Sequence, residues 1–183
     1  MKVIIGITGS SGVIFAREFL KRCDADKYLI VSKWGKYILK EELGISHEEL
    51  NCYVKRQFVD DDLSAPISSG TNSFDACVII PCSTSTVGKI ASGIGDTLIT
   101  RVAQVALKER FKLILCIRET PLSTAILEQC HKLSQQGVII MPISAPMYFN
   151  PTSLEEYINA FVDKLLSVLG LGNVKGWRAE ELE

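Results

Sequence analysis

Asp75-Ala76-Cys77-Val78-Ile79-Ile80-Pro81-Cys82-Ser83-Thr84-Ser85-Thr86 is the stretch whose reading decides the fold. Ala76 to Ile80 is an unbroken apolar run, and Pro81 closes it. A run without polar alternation suits a strand covered on both faces, as in a parallel sheet under helices. Cys82 to Thr86 are five small side chains, four of them hydroxylic. A strand that passes into Ser and Thr and then opens a helix leaves free backbone N–H groups at its end. With the hydroxyls, those groups make a site for an anion or a polar ring edge.

Downstream, Gly88, Gly93 and Gly95 break up the segment. From Asp96, read as an N-cap, the spacing predicts a long amphipathic helix through Leu98, Ile99, Val102, Val105 and Ala106 to Lys108. A second apolar run, Leu113 to Ile117, ends in Arg118-Glu119-Thr120-Pro121. Arg118 and Glu119 therefore fall at the carboxyl end of a parallel strand, the edge where open α/β sheets bind ligands.

Upstream, Val3 to Ile7 reads as the first strand and Thr8-Gly9-Ser10-Ser11-Gly12 as a tight turn. Val13 to Cys23 reads as a helix with Ile14, Phe15, Phe19 and Leu20 on its apolar side. Glycines let a backbone approach a ligand, and the helix N-terminus favours a phosphate. Tyr28 to Val31 is the second strand, and it ends in Ser32. A dinucleotide site wants an acid there for the ribose, so Ser32 argues against NAD. Lys33 to Leu43 follows as a helix, with Trp34, Tyr37 and Ile38 covering one side.

Residues 44–74 are the least regular part. Asp60-Asp61-Asp62 has the chemistry of a magnesium–diphosphate run, but a short acidic run in a polar loop reads as solvated. Beyond Pro121 a helix runs to about Gln135 with Ile126, Leu127 and Leu133 inward, and Gly137 ends it. Val138 to Met141 is the last strand, and Pro142 to Pro151 a loop holding Tyr148. Ser153 caps a final helix, Leu154 to Leu169, with Glu155 and Glu156 in its first turn and Lys164 further along. From about residue 172 the tail is polar except for Trp177. Strand candidates alternating with helices predict one α/β domain over residues 1–183. Its sheet should be doubly wound and parallel, of Rossmann-like or flavodoxin-like type.

Composition agrees with one ordinary core: the 183 residues are 47% hydrophobic and 22% charged. A formal net charge of −1 gives no nucleic-acid footprint. No apolar run approaches the ~20 residues of a membrane span, and the start is too strand-like for a secretory signal. Six cysteines are scattered without a C-x-x-C pair, and Cys77 and Cys116 lie inside apolar runs. They read as reduced core residues of a cytoplasmic protein. His47 and His131 have no metal-ligand spacing, so no metal site is expected.

Several ordered motifs carry a family resemblance. Pro81-Cys82-Ser83, Asp96-x-Leu98-Ile99-x-Arg101, Leu107-Lys108-Glu109-Arg110 and Arg118-Glu119-Thr120-Pro121-Leu122-Ser123 resemble the flavin prenyltransferase (UbiX) family, the phenylacrylic acid decarboxylase-like flavoproteins. The likeness runs from Gly6-Ile7-Thr8-Gly9 to Trp177. It implies FMN held by Gly9, Ser10, Ser11, Ser32, Ser83, Thr84, Ser85, Thr86 and Arg118, with Ala65 to Gly70 beside the isoalloxazine ring. It implies an acid at the flavin site at Glu42, proton transfer by Glu119 and a proton relay by Ser11. A dimethylallyl monophosphate would be gripped by Lys108, Arg118, Tyr148 and Lys164. The implied reaction is metal-free alkylation of reduced FMN at N5 and ring closure at C6. The product is prenylated FMN for a UbiD-type decarboxylase. The implied assembly is a homododecamer of trimers, with FMN near subunit boundaries. Two departures stand out: Lys164 replaces the usual Arg, and Asn150 stands where Arg precedes the loop proline.

Two other classes compete. Flavin-dependent decarboxylases of cysteinyl peptides or pantothenate derivatives share the Ser-rich turn. They also carry an early catalytic His, an Asn after that turn and a Pro-x-Met-Asn loop. Pro81-Cys82-Ser83 and Pro146-Met147-Tyr148 lack these. A non-catalytic flavin-carrying subunit would keep the same FMN residues.

Overall fold

The apolar runs become the centre of a six-stranded, wholly parallel sheet in the computed structural model, which describes residues 1–172. The strands are β1 (Lys2–Ile7), β2 (Asp26–Val31), β3 (Arg56–Val59), β4 (Ala76–Cys82), β5 (Lys112–Ile117) and β6 (Ile139–Ile140). The helices are α1 (Val13–Arg22), α2 (Lys33–Leu43), α3 (Thr84–Ala91), α4 (Leu98–Glu109), α5 (Thr124–Gln135) and α6 (Leu154–Leu169). The order β3-β2-β1-β4-β5-β6 reverses between β1 and β4, which puts the switch-point crevice above those two strands. This is the doubly wound single sheet that the alternation predicts.

Strand periodicity divides the core into two layers. Val3, Ile5, Ile7, Val78 and Ile80 pack with Phe19 and Leu20 of α1, Leu39 of α2, and Phe161 and Leu165 of α6. Ile4, Cys77 and Ile79 face the other way, onto Val87 and Ile90 of α3, Leu98, Val102 and Ala106 of α4, and Leu133 of α5. β4 is buried along its whole length, as its unbroken apolar run requires. All six cysteines are free.

The fold departs from the sequence reading in a few places. β3 lies inside residues 44–74, read as irregular; only Phe58 of its four residues is buried, so no apolar run marks it. α4 is capped by Thr97, not Asp96, through a reciprocal pair with Thr100. Asp96 instead pairs with Lys89 at 2.7 Å. Trp34 and Tyr37 do not cover a buried side: they are 62% and 53% exposed, and α2 buries Gly35 and Leu39. The cause is close approach. A Cβ on Gly35 would stand 2.5 Å from the Ile7 carbonyl oxygen, so the glycine face packs on β1 and turns the aromatics outward. Leu127 is exposed, while Leu133 alone of α5 is fully buried. β6 is shorter than Val138 to Met141. Trp177 lies outside the described residues.

Candidate functional site

A cavity of about 320 Å³ opens at the carboxyl edge of the sheet. Thr8 and Gly9 follow β1, Ser32, Lys33 and Trp34 follow β2, and Asp60 and Asp61 follow β3. Ser83, Ser85, Thr86 and Lys89 come from α3 and its cap, and Thr97, Ile99 and Thr100 from the start of α4. Three helix N-termini thus border one hollow, and seven of its fourteen lining residues carry hydroxyls. Ser32 caps α2 by accepting the Gly35 N–H at 3.0 Å, and Ser83 caps α3 by accepting the Thr86 N–H at 3.3 Å. The Thr8 hydroxyl donates to the Pro81 carbonyl at 2.8 Å and accepts the Ser83 N–H at 2.8 Å, so it ties β1 to β4 under the cavity.

The turn at residues 8–12 is fixed from two sides. The Ser10 hydroxyl donates to the Arg118 carbonyl at 2.7 Å, which brings the end of β5 against the turn. A Cβ on Gly12 would lie 3.9 Å from the Cγ of Arg118, so the stem of that side chain stands beside the turn. Gly12 itself has φ 96°, a left-handed conformation that glycine adopts without strain. The Glu42 carboxylate accepts the Gly12 N–H at 2.9 and 3.1 Å and the Val13 N–H at 3.1 Å. The N-terminus of α1, read from sequence as a phosphate site, is therefore taken by the chain's own acid. Of the helix starts that border the cavity, those of α2 and α3 carry no carboxylate.

Asp60 corrects the solvated reading of the acidic run. It is only 9% exposed, whereas Asp61 and Asp62 are exposed. Its Oδ1 accepts the Ile99 N–H at 2.9 Å and its carbonyl the Leu98 N–H at 2.6 Å. Burial raises its carboxyl above the usual range, against the opposing pull of Ile99 and Thr97. Cys82 is fully buried, and burial pushes its thiol well up.

The structure brings only some of the sequence-predicted residues together. Gly9, Ser32, Ser83, Ser85 and Thr86 line the cavity. Ser10, Ser11, Thr84, Arg118 and Glu119 belong to the same sheet edge without lining it; Glu119 is exposed and its Oε1 accepts the Thr120 N–H at 3.1 Å. Tyr148 sits in a single 3-10 turn after β6. Lys164 is exposed on α6, ten residues from Leu154 and next to Asp163, which pairs with Arg22 at the last turn of α1, so it lies away from the carboxyl edge. Lys108 stands apart as well. It is at the far end of α4, ten residues from Leu98, and pairs with Glu109. At 1.5 Å per residue that is about 15 Å from the cavity end of the helix. Sequence reasoning missed Thr8, Asp60, Lys89, Thr97 and Thr100. Only Thr8, directly after an apolar run, carried a signal that could have found it. Among the described residues no His, Cys, Asp and Glu cluster could hold a metal, and no helix is long and apolar enough to cross a membrane.

Comparison with known proteins gives this edge its context. Residues 1–167 match the family model described as Flavoprotein. The flavin prenyltransferase UbiX of Thermoplasma acidophilum is 43% identical over 180 residues, 97% of this chain and 100% of that protein. The chain belongs to the flavin prenyltransferase (UbiX) family of flavoproteins. It is thereby grouped with transferases. The crystal structure of AnUbiX (PadA1) in complex with FMN and dimethylallyl pyrophosphate superposes with a TM-score of 0.92 at 30% identity, covering 97% of this chain and 98% of that one. A dodecameric FMN-dependent Ubix-like decarboxylase from Escherichia coli O157:H7 also gives 0.92, at 33% identity over 97% of this chain and 100% of that one.

Proposed function

We propose that this chain is a flavin prenyltransferase. In this reading it transfers a dimethylallyl group from dimethylallyl monophosphate to N5 and C6 of reduced FMN, and prenylated FMN passes to a UbiD-type decarboxylase. The observation that carries the reading is the hydroxyl-lined cavity between the starts of α2 and α3, in a chain of this family. Such a wall fits a phosphate and its polyol arm: backbone N–H groups and Ser or Thr hydroxyls bind the anion, and about 300–1,000 Å³ is the usual size of a small-molecule pocket. Ser32, Ser83, Ser85 and Thr86 would hold the phosphate end, and Arg118, beside the 8–12 turn, the end nearer the prenyl donor. Reduced flavin supplies the nucleophilic ring atoms. Glu119 would move a proton at the donor phosphate and Ser11 one near the ring; Glu42 would hold the turn that carries Ser11.

The donor-phosphate set is split within one chain. Arg118 directly follows β5 and Tyr148 comes after β6, while Lys108 and Lys164 each lie ten residues down their helices, α4 and α6, away from the carboxyl edge. A second copy could complete the set, which supports an oligomer with sites at subunit boundaries, up to the dodecamer of the relative named above. Incubating the protein with reduced FMN and dimethylallyl monophosphate should give a flavin heavier by one prenyl group in mass spectrometry. No such product with intact FMN binding would sink the reading. Lys164→Ala should weaken donor binding by about tenfold to a hundredfold and spare FMN, while Lys164→Arg keeps most activity.

A second reading, an FMN-binding decarboxylase or its flavin-carrying subunit, is favoured by the name of the Escherichia coli neighbour. Release of carbon dioxide from an acid substrate without added prenyl donor would favour it over the transferase.

A further inference from the structure

Asp60 belongs to no site residue anticipated from sequence, yet it is a buried carboxyl in the cavity wall. Its position follows from strand register. β3 pairs with β2 so that Val59 stands opposite Val31, and the next residues, Asp60 and Ser32, sit side by side at the carboxyl edge. Dinucleotide-binding folds place an acid at the end of the second strand to accept hydrogen bonds from ribose hydroxyls. Ser32 occupies that place here, and Asp60 brings a carboxyl to the cavity from one strand further out.

The wall's chemistry says what that carboxyl meets. Thr8, Ser32, Ser83, Ser85, Thr86, Thr97 and Thr100 are hydroxyls, each both donor and acceptor. An ionised carboxyl only accepts, and among the described lining residues Asp60 is the buried one. Its Oδ1 is held by the Ile99 N–H, so the group is aimed by α4 rather than free to swing. Burial makes its charge costly, and a polyol that donates to it would relieve that cost.

We propose that Asp60 accepts hydrogen bonds from the hydroxyls of the flavin's ribityl arm, so that the cavity selects a polyol-bearing flavin over the bare ring. The proposal rests on the flavin reading above and adds a binding residue to it. The test is a two-by-two comparison by quenching of flavin fluorescence. Wild type and Asp60→Asn are each titrated with riboflavin and with lumiflavin, which lacks the ribityl arm. Neither ligand carries a phosphate, so charge repulsion does not enter. Asn keeps the shape and an oxygen for the Ile99 N–H. Riboflavin should bind the variant about tenfold to a hundredfold more weakly, the loss expected for a hydrogen bond to a charged group. Lumiflavin should change by no more than about twofold, the usual limit for uncoupled sites. Equal losses for both ligands would make Asp60 a support for α4 only and overturn the proposal, as would no loss for either. If wild type binds neither flavin, the flavin reading itself fails, and this one with it. Should Asp60→Asn not melt cooperatively, Asp60→Ser is titrated in the same way with the same outcomes.

Discussion

Glu42 of α2 holds the start of α1, and its replacement gives a graded test. The carboxylate accepts two backbone donors at the start of α1, Gly12 N–H at 2.9 and 3.1 Å and Val13 N–H at 3.1 Å. A hydrogen bond to a charged group contributes about 1.5–3 kcal/mol when it is shielded. Glu42 is exposed, and water can reach both donors once the side chain is gone, so about 1 kcal/mol is the better figure for the bonds. A negative charge at a helix N-terminus adds about 0.3–1 kcal/mol. Glu42→Ala should therefore cost about 1–2 kcal/mol. Glu42→Gln keeps an acceptor oxygen and should lose only the charge contribution, about 0.3–1 kcal/mol. Guanidinium unfolding followed by circular dichroism, with unchanged slope, would give the order wild type, Gln, Ala. The Ala variant should also bind FMN more weakly, because the turn it loosens carries Gly9 and Ser10. If Ala matches wild type in stability, the carboxylate does not hold the turn. If Gln falls as far as Ala, charge rather than the acceptor geometry is what α1 requires. Either result refutes the reasoning.

Two further predictions come from the same edge. Gly9→Ala should destabilise the protein by about 1–3 kcal/mol, the usual range for overpacking, and lower FMN affinity. Its Cβ would collide with the root of the Trp34 side chain and stand 3.5 Å from that residue's carbonyl carbon, neither of which can swing aside. Unaltered melting and titration curves would show that the turn and α2 are not packed this closely. For Asp60 the folded pKa is raised, so its stabilising share is fully present below the unfolded value near 3.8 and is lost as pH rises through the folded value. The stability of Asp60→Asn relative to wild type should therefore increase as pH rises across that window and then level off; a difference that is flat or falls with pH in denaturation curves would contradict the burial.

How far the site could be read from residues alone depends on what kind of signal each part leaves. β4 and β5 are covered on both faces, so they show as unbroken apolar runs, and the hydroxyls and the Arg118-Glu119 pair that end them could be placed on the ligand edge directly. Small residues at strand ends, Gly9, Ser32, Ser83, Ser85 and Thr86, were legible for the same reason. β3 is an edge strand, with one buried residue, and leaves no run. Once β3 is invisible, Asp60 is a residue in a loop, and its acidic neighbours make solvation the natural reading. Only pairing with β2 and contact with α4 put it inside. The contacts of Glu42 were hidden for a different reason. Its helix was read with the correct ends, but its partners are backbone N–H groups thirty residues away in sequence, and backbone donors carry no residue code. Both acids do the same physical job of covering a helix start at the ligand edge. The consequence bears on where an anion can bind: with α1 and α4 covered by carboxylates, the starts of α2 and α3 are what the cavity leaves to a phosphate, and those are the ends that Ser32 and Ser83 cap.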